Sequence, residues 1–287
     1  CNTRRADTLV DVTADRVGLS ALYTMKQIQA ERSDIELRLG AYSPLGFRDD
    51  EPARWDVFEQ GVRSADFLAS LPEADDTDDY PANIGFEENC RRMLALAREV
   101  GKPIHVHTDQ RNESSEAGTE RLIQVLRDTG GHDLGDGDPS VWVVHMISPT
   151  TYEPSRFDAL VEGLVEQGVG VIVCPSAAIG MRQLRPLRSY TDNCIPRVLE
   201  LLQGGVHVRL ASDNIADICS PSTTADLTDE VLVLSAAVRY YDIDLLARLA
   251  AGERPSAREL EALNVHLAKN ALEIEKVLDA RSARTTP

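Results

Sequence analysis

The stretch 103–110, PIHVHTDQ, decides how the rest of the chain is read. Gly101 and Pro103 stop what precedes it and launch an extended run. His105 and His107 lie two apart, so on a strand both imidazoles point to the same face. The run closes on polar residues, Asp109 and Gln110. Just upstream, 85–100 (GFEENCRRMLALAREV) carries apolar residues at three- and four-residue spacing, a helix period. A helix leading straight into a short strand is one repeat of an alternating α/β chain.

The same alternation extends outward in both directions. Extended runs are predicted at 8–13 (TLVDVT), 35–43 (IELRLGAYS) and 66–71 (DFLASL) on one side. On the other side they fall at 141–148 (VWVVHMIS), 169–175 (VGVIVCP) and 206–214 (VHVRLASDN). Strand ends recur roughly every 30–40 residues, the pitch of βα units in a parallel sheet covered on both faces. Seven strands and an all-helical tail over 229–283 predict a (β/α)8 TIM-type barrel, α/β in class, that lacks one strand and carries extra C-terminal helices. The eighth barrel helix is expected at 229–241. No linker or internal repeat divides the chain, so 1–287 is read as a single barrel domain.

Composition narrows the function. The chain has 287 residues, with 30 Lys and Arg against 47 Asp and Glu, a net charge of −17. Such acidity disfavours a nucleic-acid partner. No apolar run approaches the ~20 residues of a membrane span. Five scattered cysteines suit a reducing cytoplasm better than a disulfide framework. Exposed barrel helices often pair, which admits a homo-oligomer. The acidic run 73–79 (EADDTDD) reads as a solvated loop, because it lacks the Gly and Glu positions of a calcium loop.

In a parallel barrel, chemistry sits at the C-terminal strand ends. Those ends bear His105, His107, Asp109 and Gln110, then His145, Cys174, and Ser212, Asp213 and Asn214. Paired strand histidines are often no more than hydrogen-bonded core residues. Joined by His145 and Asp213 from two further strands, they suit zinc, iron or manganese, with a position open for a water whose pKa the metal lowers. Cys174 reads as a small buried thiol, and Ser212 lacks a G-x-S-x-G elbow.

The order PIHVHTDQ, VWVVHM, VIVCPSAAIGM, VRLASDN resembles the amidohydrolase superfamily, most closely its cytosine-deaminase-like branch. That resemblance implies a hydrolase of C–N bonds, a deaminase or amidohydrolase, acting on a small cyclic nitrogenous substrate with one divalent transition metal, zinc foremost. It assigns His107 and Asp213 as metal ligands. It makes His145 the group that polarises water or substrate, Asp213 the proton acceptor, and Gln110 the counterpart of the family's proton-shuttling Glu. His105 and Asn214 are left as substrate-side positions.

Two departures stand out. An amide at Gln110 has no proton to shuttle at neutral pH. The family's first-strand His-x-His has no counterpart before Thr8, and the chain begins with Cys1 rather than Met. An N-terminal segment with strand one, and any β-sandwich, is therefore expected to lie outside this chain. A mature lipoprotein also begins with Cys, but no other export signal is visible. Two alternatives remain: a degenerate relative that binds a small molecule without turnover, and a metal-dependent aldolase or lyase barrel.

Overall fold

A computed structural model describes residues 2–180, 194–218 and 220–285. All seven expected strands are present: β1 (Arg5–Asp11), β2 (Glu36–Tyr42), β3 (Phe67–Ser70), β4 (Ile104–Thr108), β5 (Val141–His145), β6 (Gly170–Val173) and β7 (Val208–Leu210). They form one parallel sheet paired in chain order. Helices α1 (Ser20–Glu31), α2 (Pro52–Ser64), α3 (Phe86–Val100), α4 (Gly118–Thr129) and α5 (Pro154–Glu166) fill the first five crossovers. Two short ones, α6 (Pro175–Gly180) and α7 (Val198–Gln203), lie between β6 and β7. Among the described residues no strand joins β7 to β1, so the sheet is a seven-stranded curled half-barrel. Cys1, Cys219 and Met181 of the sixth-strand motif lie outside the described residues.

Alternation along each strand divides the sheet into two chemistries. Leu39, Ala41, Leu68, Ile104, Val106, Val143, Val171 and Val173 are buried in one core with Phe58 and Val62 of α2, Met93 of α3, Leu122 of α4 and Phe157 of α5. Each of these side chains larger than Ala41 contributes roughly 1.5–3 kcal/mol by leaving water. The opposite face carries Asp7, Arg38, Phe67, His105, Trp142 and Arg209. Its rings need room. A Cβ on Gly40 would lie 2.3 Å from the Phe67 ring, and one on Gly170 would lie 2.5 Å from Trp142, so both positions require glycine.

The tail is helical as expected, in α8 (Leu227–Val238), α9 (Ile243–Ala250) and α10 (Ala257–Thr285). Helix α8 starts two residues before the predicted 229 because the Asp226 carboxylate accepts the Thr228 N–H. It ends early where Arg239 turns left-handed (φ 53°). Among the described residues no helix is long and apolar enough to cross a membrane.

The acidic run 73–79 departs from its reading as a solvated loop. Pro72–Asp75 forms a 3-10 turn against α3, and Asp75 is fully buried. Its carboxylate accepts the Phe47 N–H (2.7 Å) and the Asn89 side-chain amide (2.6 Å). Charge composition marks a run as polar, but it does not say which carboxylates have buried donors to meet.

Candidate active site

The C-terminal rim of the sheet is marked by its backbone. Asp109 (φ 60°) just beyond β4, His145 (φ 76°) and Met146 (φ 50°) at β5, and Asp213 (φ 60°) just beyond β7 all adopt left-handed conformations. Each costs of order 1–3 kcal/mol for a residue other than glycine, and such strain clusters at functional sites. Three strand ends therefore turn abruptly and re-aim their side chains.

Three of the expected residues meet there. The His107 and His145 rings are 5.2 Å apart, and the His145 Nε2 lies 4.0 Å from the Asp213 carboxylate. Tyr42, at the end of β2, brings its ring to 6.1 Å from His107. Burial pushes His107 down to about 3 and His145 to about 4, with the neighbouring ring adding to the effect on His107. Both imidazoles are therefore neutral at physiological pH and have lone pairs to offer. Burial instead raises the Asp213 carboxyl, against the Asn214 N–H (2.8 Å) that its Oδ1 accepts.

The other expected residues differ in how they sit toward this cluster. His105 lies one layer deeper, stacked on Phe67 (4.3 Å between centroids) with its Nε2 3.9 Å from Asp7. Gln110 is half-buried in the loop beyond β4, and Asn214 is exposed. Cys174 is buried at the end of β6, where burial, Asp213 and Glu230 hold its thiol protonated, the inert role expected for it.

Asp109 faces away from the cluster. Its carboxylate accepts the N–H groups of Gly118 (2.7 Å) and Thr119 (2.9 Å), which satisfies the N-terminus of α4. Its carbonyl accepts from Ile147 and Ser148, tying the ends of β4 and β5 together. Asp109→Ala is expected to cost about 2 kcal/mol in chemical denaturation, because it orphans buried donors. Metal affinity should change little; a large loss would instead place Asp109 among the ligands.

Glu73 was not anticipated. It sits in the turn after β3, half-buried, and its Oε1 accepts the Asp109 N–H at 2.6 Å. Burial foremost, and then Glu116, lift its carboxyl to about 8. The usable signal was its position: it follows the third strand on the rim where the other site residues were sought.

Two buried imidazole nitrogens, Nδ1 of His107 and of His145, have no hydrogen-bond partner. Neutral imidazoles beside a carboxylate are the donor chemistry of a divalent transition metal. Among the described residues, however, no three His, Cys, Asp or Glu side chains are close enough to hold an ion. The donors fit a metal in kind and fall short in number.

Comparison with known proteins identifies the architecture. No family model matches the chain. An uncharacterized protein of Haemophilus influenzae is 25% identical over 199 residues, 67% of each chain. A 5-methylcytosine deaminase from Klebsiella pneumoniae, solved with 5-fluorocytosine, superposes with a TM-score of 0.72 at 21% identity. The match covers 86% of this chain and 57% of the deaminase, so the chain spans little more than half that enzyme's length. N-isopropylammelide isopropylaminohydrolase from Burkholderia multivorans gives a TM-score of 0.67 at 19% identity, over 92% of this chain and 67% of that one. The chain therefore shares the α/β fold of these two solved enzymes over most of its length.

Proposed function

We propose that the protein hydrolyses a C–N bond in a small cyclic nitrogenous compound, as a deaminase or amidohydrolase, with one divalent transition metal held by His107 and Asp213. The observation that carries this reading is the convergence of His107, His145 and Asp213 from three strand ends, two of the three with unpartnered ring nitrogens. The named activities of the two structural neighbours, a deaminase and an isopropylaminohydrolase, are of the same class.

When bound, the metal supplies Lewis acidity that brings the pKa of a water near neutrality. The remaining work falls to the chain's own residues. Neutral His145 orients the attacking water or the substrate by a hydrogen bond. Asp213, within 4.0 Å of His145, takes the water's proton as its oxygen bonds to the ring carbon. Tyr42 stays protonated, since burial and the charges of Asp11, Asp213 and Glu73 push it up to about 12, and it can donate to the substrate. The Gln110 amide has no proton to give at neutral pH, and the Asn214 N–H fixes the Asp213 carboxylate at 2.8 Å.

Gln110 also favours a second reading, a binder without turnover. Metal removal separates the two. Chelation is expected to abolish ammonia release from amino-substituted pyrimidines and triazines, and one equivalent of zinc, iron or manganese to restore it. Ligand binding without ammonia release in the metal-loaded protein would leave the second reading.

A further inference from the structure

We infer that Glu73 is the acid that protonates the departing nitrogen, the task that an amide at Gln110 cannot perform. This inference rests on the hydrolase reading above and deepens it. Four observations support it. Glu73 stands on the catalytic rim, in the turn that follows β3 directly. Its Oε1 is anchored by the N–H of Asp109, two residues beyond His107 and next to Gln110. Its Oε2 makes no hydrogen bond among the described residues, so a carboxylic acid there is fixed at one oxygen and free to present its proton on the other. Glu73 and Asp213 both act electrostatically on the Tyr42 phenol, whose ring lies 6.1 Å from that of His107.

The groups that face Glu73 are Glu116 and Asp109, which favour its protonated form, and Arg111 and the Asp109 N–H, which oppose it. Burial and the two carboxylates prevail, and the carboxyl titrates at about 8. At neutral pH it is therefore mostly an acid, the state a proton donor needs. The step balances as follows. The water oxygen bonds to the ring carbon and its proton goes to Asp213. The C–N bond breaks with its electron pair on nitrogen, which takes the Glu73 proton and leaves as the free amine or ammonia. Asp213 then releases its proton to solvent, and Glu73 regains one. The acid form is complete well below pH 8 and is lost as pH rises through it, so the rate should fall on that limb.

A purely structural Glu73, present only to accept the Asp109 N–H, would be replaced without loss by Gln, whose amide oxygen accepts the same bond. Glu73→Gln is therefore the deciding variant. In the metal-loaded protein it is expected to lower kcat by about 100-fold or more, to leave KM little changed, and to erase the alkaline limb of the pH profile. Infrared difference spectra should show a protonated carboxyl band that titrates near pH 8 in the native protein and is absent from Glu73→Gln. If the native protein turns over and Glu73→Gln does so equally, or if the band persists in the variant, Glu73 is not the acid and the hydrolase reading stands. If the native protein releases no ammonia or amine from any amino heterocycle, the hydrolase reading fails, and this inference fails with it.

Discussion

Asp213→Ala is expected to lower turnover by about 1,000-fold or more and to abolish metal retention, while leaving the metal-free protein as stable as before. Asp213 is assigned two roles, a ligand and the acceptor of the water's proton, and no neighbouring carboxylate is placed to take over both. Its contribution to folding is small. The residue sits in a left-handed backbone, its Oδ1 accepts one exposed N–H, and burial raises its carboxyl above the usual range. A raised carboxylate pKa means that the charged form is disfavoured by folding, so at neutral pH removing the charge relieves the metal-free fold. Thermal melting of the chelated variant should match or exceed that of the native protein, within about 1 kcal/mol. A variant that loses activity only because it unfolds would make Asp213 a structural residue. A variant that retains both metal and turnover would remove it from the site.

Phe58→Ala is expected to cost about 3–5 kcal/mol, the largest stability effect foreseen here. Phe58 lies on α2, is fully buried, and meets Phe47 edge-on at 5.3 Å and Trp55 at 5.9 Å. Deleting the ring leaves a cavity that α2 and the strand behind it cannot close, because the packed faces on both sides are part of one core. The effect reaches the rim, since the Phe47 N–H is held by Asp75, in the same turn that carries Glu73. Denaturant unfolding measures the loss directly. A cost under about 1 kcal/mol would mean that the aromatic cluster packs more loosely than described.

Much of the architecture was legible in the sequence because the physics that specifies it is local. Most strands are short apolar runs, and α3 shows apolar spacing closed by Gly101, whose backbone is left-handed. The expected strands ran past those found, most of all at β5 and β7, where backbone pairing stops at His145 and Leu210. The convergence at the rim was also legible, since strand ends in a parallel sheet point one way, and His107, His145 and Asp213 do meet.

What was not legible depends on where a side chain turns after the strand ends. Asp109 and Glu73 illustrate the difficulty. Asp109 follows His107 on the strand most concerned with the site, yet a positive φ turns its carboxylate toward α4. Glu73 lies in a run whose charge density suggested solvent, yet one of its oxygens meets the Asp109 N–H. No periodicity reports a single left-handed residue or one backbone donor in need of an acceptor. Nor does periodicity report how many donors converge, and among the described residues no three His, Cys, Asp or Glu side chains do.

The central claim is that this fold carries hydrolytic C–N cleavage at His107, His145 and Asp213. It is tested most directly by incubating the metal-loaded protein with aminopyrimidines and aminotriazines in heavy-oxygen water. Ammonia or the free amine should appear in equal amount with a product bearing one heavy oxygen on the ring carbon, and Asp213→Ala should form neither. Tight binding of a heterocycle with no amine released and no heavy oxygen incorporated would contradict the account and leave a binding protein on a hydrolase fold.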